Sequence, residues 1–313
     1  MASLAELIWD FPHRFSSTTH RIGRTLRRDV IGLTPAQIRV SLDRLAALYP
    51  GHYSVGFEML SLGDVPAARL YPRHQHKFNF NEATNQAVLL VHGGGFAFGS
   101  PRTHRALASA LVRQTGVEVW VPDYRLAPEH PFPTPLDDVA NALRELSQRK
   151  RGGIWVVGDS AGGNLAISAV LDEIGSLDGK ILGLMLLSPW LDLRPQSVSN
   201  QSRIVDTSPF DRLDMLEYAI HYLGRTPPNE ARVCPLIRNL SKLPAVYAEA
   251  SHAEYLWPDF AEFRKAFAKS SQILTFREEP NALHGWQLFP DVLPEAKRSI
   301  LAMAEFMKAT QHV

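Results

Sequence analysis

Ser160 stands in Gly158-Asp159-Ser160-Ala161-Gly162, a serine with glycine two residues away on each side. A serine hydroxyl is a weak nucleophile until a base takes its proton and a sharp turn lifts it clear of the backbone. The flanks fit that need. Ile154-Trp155-Val156-Val157 reads as a buried strand, and Leu165, Ile167, Ala169, Val170 and Leu171 follow as a helix. Composition alone gives this five-residue pattern in about one chain in ten, so a second signal is needed. That signal is His92-Gly93-Gly94-Gly95-Phe96, directly after the apolar run Ala87-Val88-Leu89-Leu90-Val91. Consecutive glycines expose backbone N–H groups with no side chain in the way. Donors so fixed would hold the oxyanion of a tetrahedral intermediate. Gly93, Gly94 and Gly95, with Ala161 at the start of the helix behind Ser160, are the candidate donors. The sequence leaves open which of the glycines serve. The blander reading of the loop is a backbone that merely needs positive φ.

Stepping from these residues to the elements that carry them, strands and helices alternate. Tyr53 to Leu60 and Pro66 to Tyr71 read as two strands turning at Gly63-Asp64. His104 to Gln114 is helical, Val117 to Val121 a strand, Leu136 to Lys150 a helix, and Ile181 to Leu187 a strand. That rhythm predicts an α/β fold with a mostly parallel, doubly wound sheet flanked by helices. Thr34-Pro35 is a helix start, with Ile38, Leu42, Leu45 and Leu48 on one face. From Leu191 to Leu240 the rhythm breaks. Asp211 to Leu223 is an amphipathic helix inside that stretch.

The motifs together resemble the hormone-sensitive lipase-like carboxylesterases of the α/β-hydrolase fold. The matching residues are His92 to Phe96, Gly158 to Gly163, Asp123-Tyr124-Arg125-Leu126-Ala127-Pro128-Glu129 with Phe132-Pro133, and Leu187-Ser188-Pro189-Trp190-Leu191-Asp192-Leu193. The resemblance runs from about residue 85 to 290 and fades before residue 50. It implies an α/β-hydrolase core in two parts, 53–190 and 241–313. A helical cap would come from residues 1–52 and the insertion 191–240. It implies hydrolysis of small or medium carboxylic esters through an acyl-enzyme, with no cofactor and no metal. Trp190, Phe210, Tyr218 and Tyr222 are candidate pocket residues; aromatics at helical spacing serve equally as cap core. The Asp123-Tyr124-Arg125 segment reads as a structural turn.

The fold's chain order is serine, acid, histidine. Leu243 to Glu249 reads as a strand, and the loop after it carries Glu254-Tyr255-Leu256 where relatives usually have aspartate. Glu254 is the favoured acid. Asp259 is the rival, inside a predicted helix, and Glu249 falls within the strand. The next strand, Gln272 to Phe276, leads to Asn281-Ala282-Leu283-His284-Gly285-Trp286. His284 is the expected base, with His252 the competitor beside the acid loop. A chain with Ser160, Glu254 and His284 would hydrolyse esters. Two other readings compete: acyl transfer in a specialised biosynthetic enzyme, and a non-catalytic small-molecule receptor. The receptor precedent in this family lacks the histidine, so His284 counts against it.

Composition excludes several classes. At 45% hydrophobic and 21% charged, 313 residues can bury a large core. A net charge of +1 predicts no nucleic-acid partner. The single cysteine, Cys234, excludes an internal disulfide framework and reads as a packed thiol. His74 and His76 lack any partner pattern for a metal. No apolar run reaches the ~18 residues of a membrane span. Glu6 and Asp10 interrupt the apolar N-terminal residues Leu4, Leu7, Ile8 and Phe11, which argues against a secretory signal. The Arg-, Ser- and Thr-rich stretch from His13 to Arg28 reads as a solvated basic face, with an organelle transit peptide as the weaker reading. The expected location is cytoplasmic, the expected partner is a small ester, and a homodimer is one assembly the sequence allows.

Overall fold

The computed structural model describes residues 32–49, 51–73, 85–177, 179–194, 212–267 and 274–311. The expected helix at Leu4 to Phe11, the basic stretch after it, the His74 and His76 loop and Phe210 lie outside those residues. The strands are β1 (Val55–Leu62), β2 (Val65–Pro72), β3 (Ala87–Val91), β4 (Glu118–Pro122), β5 (Ile154–Asp159), β6 (Ile181–Leu187), β7 (Val246–Ser251) and β8 (Leu274–Glu279). They form one sheet in the order β1-β2-β4-β3-β5-β6-β7-β8. β1 and β2 are an antiparallel hairpin that turns at Gly63-Asp64, and β2 runs antiparallel to β4. The remaining pairs are parallel.

Helices cover both faces of the sheet: α1 (Pro35–Ala47), α2 (Arg105–Thr115), α3 (Thr134–Arg149), α4 (Ala161–Glu173), α5 (Arg212–Leu223), α6 (Trp257–Phe267) and α7 (Pro294–Thr310). The strand period of two sends alternate residues to opposite cores. Leu89, Val91 and Val156 meet Leu143 and Leu146 of α3 and Leu165 and Ile167 of α4. Val88, Leu90 and Val157 meet Leu107 and Leu111 of α2 and Met303 and Met307 of α7. This double coverage explains why β3 and β6 are apolar throughout, why β5 is apolar up to Gly158, and why all three are buried. Each such Leu or Val buried contributes about 1.5–3 kcal/mol. Among the described residues no helix is long and apolar enough to cross a membrane.

α1 begins where Thr34 and Gln37 close a reciprocal capping box with Pro35 at the first helical position. Two strands sit later in the chain than their apolar runs suggest. Leu240–Lys242 winds into a short 3₁₀ turn, so β7 opens at Val246 rather than Leu243. β8 pairs Val246 with Leu274 through Ser251 with Glu279, carrying Arg277, Glu278 and Glu279 into an edge strand. An edge strand tolerates charges that an inner strand would not. After Trp286 the chain makes a 3₁₀ turn, Trp286–Leu288, and α7 starts only at Pro294.

Candidate active site

Ser160 sits between β5 and α4 at φ 52°, ψ −122°, a region that L-residues avoid. Such a conformation costs about 1–3 kcal/mol and survives only where its surroundings enforce it. Here the Ser160 N–H donates to Leu187 O at 2.9 Å, and Ser160 O accepts from Gly163 N at 3.0 Å and Trp190 N at 2.9 Å. A Cβ at Gly158 would strike the Gly162 carbonyl, and one at Gly162 would strike the carbonyls of Val91 and His92. Both glycines of the motif are therefore required by close backbone approach. The non-glycine residues with positive φ among those described are Phe96, Ser160 and Ser188. One ends the triple-glycine loop, one makes the strand-to-helix turn, and one donates its hydroxyl to Glu254.

His284 Nε2 lies 3.0 Å from Ser160 Oγ, and its Nδ1 lies 2.6 Å from Glu254 Oε2. Glu254 comes three residues after β7 and is 3% exposed. Its other oxygen, Oε1, accepts from Ser188 Oγ at 2.7 Å and from the Ser251 N–H at 2.9 Å. His284 is held above the ordinary 6.5: burial opposes protonation, but the Glu254 charge and hydrogen bond outweigh it. The arrangement can move a proton from the Ser160 hydroxyl to the imidazole and stabilise the resulting imidazolium.

The triple-glycine loop follows β3. The Gly93 N–H is engaged, donating to Asp159 Oδ1 at 2.8 Å. No hydrogen bond engages the N–H groups of Gly94, Gly95 or Ala161 among the described residues. Gly94 has φ 120°, and a Cβ there would enter the Phe98 carbonyl. Arg39 of α1 reaches over to donate to Ala97 O at 2.7 Å and Ala127 O at 2.6 Å, pinning the loop from outside. Burial pushes the His92 imidazole down to about 3, with His104 adding to the effect, so His92 is a neutral ring. It stacks on Tyr124 at 4.2 Å, and the Tyr124 hydroxyl donates to His92 O at 2.6 Å. The Asp123-Tyr124-Arg125 turn therefore supports the loop directly.

The rivals of the acid and base are occupied elsewhere. Asp259 Oδ2 accepts from the Leu191 and Asp192 N–H groups, both at 2.8 Å. His252 is half exposed, stacks on Trp257 and meets Glu278 at 2.9 Å. Glu249 is buried within β7 and accepts from Tyr247, Gln287 and Ser299. Among the described residues no group of three His, Cys, Asp or Glu side chains could hold a metal ion.

A family model described as the alpha/beta hydrolase fold matches residues 88–288. The solved structure of an esterase from the bacterial hormone-sensitive lipase family superposes with a TM-score of 0.83. It is 28% identical and covers 96% of this chain and 100% of that one. The chain belongs to the hormone-sensitive lipase-like family of α/β-hydrolases. It is a carboxylic-ester hydrolase. An acetyl-hydrolase of Streptomyces hygroscopicus is 32% identical over 272 residues, 86% of this chain and 88% of that protein. An esterase of Acinetobacter venetianus is 31% identical over 283 residues, 88% and 89% of the two chains.

In this hydrolase the expected pocket aromatics divide. Trp190 and Tyr222 are buried, and Tyr222 stacks on Phe96 at 3.8 Å between centroids. Tyr218 of α5 stands against Gly95, where a Cβ would come within 3.0 Å of its ring, and meets Phe98 edge-on. Phe210 lies outside the described residues. Sequence reasoning passed over Ser188, His104 and the side chain of Asp159. Asp159 was legible as the variable position inside the serine motif. Nothing local marks Ser188 or His104, because their partners are 66 and 55 residues away along the chain.

Proposed function

We propose that Ser160, His284 and Glu254 form the triad of this esterase and that it works through an acyl-enzyme. The unbroken relay from Ser160 Oγ through His284 to Glu254 carries the reading. His284 Nε2 takes the Ser160 proton as Oγ bonds to the ester carbonyl carbon. The carbonyl oxygen takes the π electrons, and the N–H groups of Gly94, Gly95 and Ala161 hold its charge. Gly93 contributes by anchoring the loop. Each such donor is worth about 10²- to 10³-fold in rate. The intermediate collapses, the C–O bond to the alcohol breaks, and His284 gives that oxygen its proton. Water then yields a proton to His284 as its oxygen attacks the acyl carbon. The second collapse breaks the bond to Oγ, returns the proton to Ser160 and releases the acid.

The substrate is an ester of small or medium size with a short acyl group. Phe96, Trp190 and Tyr222 pack closely beside the elbow, and the similarity to an acetyl-hydrolase points the same way. The test is turnover of a p-nitrophenyl ester series from acetate upward. Fastest turnover at acetate or butyrate, abolished by Ser160→Ala, is the expected result. Turnover that survives Ser160→Ala would refute the nucleophile. A rate that keeps rising with long chains would refute the short acyl pocket.

A further inference from the structure

Asp159 has no part in the relay, yet its buried carboxylate lies between the two catalytic loops. It is the residue before Ser160 and is 5% exposed. Its Oδ1 accepts from the Gly93 N–H at 2.8 Å and lies 3.0 Å from His104 Nε2. His104 precedes α2, is 3% exposed, and meets Thr103 Oγ1 through Nδ1 at 2.9 Å. Gly93 fits against this carboxylate only because it lacks a side chain: a Cβ there would strike Asp159 Oδ2. One charged group thus ties the end of β5, the first glycine of the loop and the start of α2 together. With Gly93 fastened, the next two N–H groups have a fixed aim.

We propose that Asp159, held by His104, is a positioning residue that locks the oxyanion loop to the nucleophile elbow. The proposal rests on the triad reading above. A misaimed oxyanion donor weakens binding of the transition state and leaves substrate binding nearly untouched, because the oxyanion exists only after attack. Burial opposes ionisation of Asp159, but His104 and the Gly93 N–H hold it below the usual carboxylate range. The groups facing it are His104 from α2, His92 from the loop after β3 and Tyr124 from the loop after β4.

The experiment compares wild type, Asp159→Ala, Asp159→Asn and Ser160→Ala in p-nitrophenyl acetate hydrolysis across pH, with an alkyl boronic acid as tetrahedral mimic. Asp159→Ala is expected to lower kcat roughly 10- to 100-fold and to weaken the boronic acid in parallel. Its KM should stay within about threefold, since ground-state binding does not use the donors. Asp159→Asn keeps an amide oxygen that can accept from the Gly93 N–H, so its kcat should fall less than that of Asp159→Ala. A loss confined to KM, or a wild-type kcat in folded Asp159→Ala, overturns the clamp. A loss in Asp159→Asn that falls on KM and spares kcat and boronic-acid affinity also overturns it, which keeps the test decisive if the alanine protein fails to fold. Wild-type turnover in Ser160→Ala would instead fell the triad reading itself, a failure the Asp159 variants do not imitate.

Discussion

Replacing Glu254 by glutamine should reverse the protonation of the triad histidine. Glu254 Oε1 already takes two donors, the Ser188 hydroxyl at 2.7 Å and the Ser251 N–H at 2.9 Å. In Glu254→Gln the amide oxygen must occupy that position, because an NH₂ group there would face two hydrogens. The amide nitrogen then stands where Oε2 was, 2.6 Å from His284 Nδ1. Two N–H groups cannot face each other at that distance, so Nδ1 becomes the acceptor and the ring proton moves to Nε2. That proton now points at Ser160 Oγ, 3.0 Å away, and the lone pair needed to accept the serine proton is gone. A wrong tautomer of this kind costs about 10⁴-fold in kcat, roughly 5 kcal/mol of transition-state stabilisation. Glu254→Asp fails differently. Its carboxylate retreats by about one C–C bond, ~1.5 Å, which opens the 2.6 Å contact to about 4 Å. The charge survives but the ring is no longer held, and a loss of order 10² follows. The assay is kcat on p-nitrophenyl acetate, with thermal melts showing both proteins folded. A glutamine variant within tenfold of wild type, or one faster than the aspartate variant, would refute the argument.

Other outcomes follow from the same geometry. His284 must be neutral to act as base, and Glu254 raises its pKa against the opposing effect of burial, so kcat/KM should fall on acidification with a midpoint above 6.5; a midpoint below 6.5 contradicts this. Asp259→Ala strips the acceptor from two buried N–H groups at about 1–3 kcal/mol each, so the melting temperature should drop by several degrees. Its kcat should stay far above that of Glu254→Gln, and equal losses would return Asp259 to candidacy as the acid. Burial raises the pKa of Glu249 against the pull of its donors, so the native state holds its proton more tightly than the unfolded chain. That contribution to stability is full below the ordinary value of 4.5 and is lost as pH rises through the raised value. Denaturant melts across this window should show the slope in wild type and lose it in Glu249→Gln. The Cys234 thiol is pushed up to about 11 by burial and by Asp192, so alkylating agents at neutral pH should leave activity intact.

The parts of the site that were legible in the sequence are those whose physics is local. A strand, a tight turn and a helix must follow one another, so Ser160 and the triple glycine announce themselves within a few residues. The sequence singles out His284 and Glu254 by the order of elements rather than by their neighbours. Gly93 shows the limit of such reading. Three adjacent glycines look equivalent in sequence, and only the approach of Asp159, 66 residues on, separates the anchored N–H from the open ones. Ser188 is hidden for the same reason, since its hydroxyl matters only through Glu254. The boundaries of β7 and β8 were missed because apolar runs mark burial, whereas the register of an edge strand is set by its ladder.

The strand order also determines when the chain becomes reactive. The elbow and the loop of N–H groups sit on β5 and β3, in the middle of the sheet, and the neighbouring strand β6 is finished by Leu187. Glu254 and His284, the acid and base of the proposed triad, follow β7 and β8, the last two strands on one side, and β8 is paired with β7 alone. A chain emerging from the ribosome can therefore build the strained serine turn while the groups that would activate it are still unmade. Reactivity arrives only when the outermost strand docks, so a half-synthesised enzyme is chemically silent. The same logic runs backward on heating. An edge held on one side opens at lower free energy than the centre, so hydrolysis should cease while the interior of the sheet is still intact.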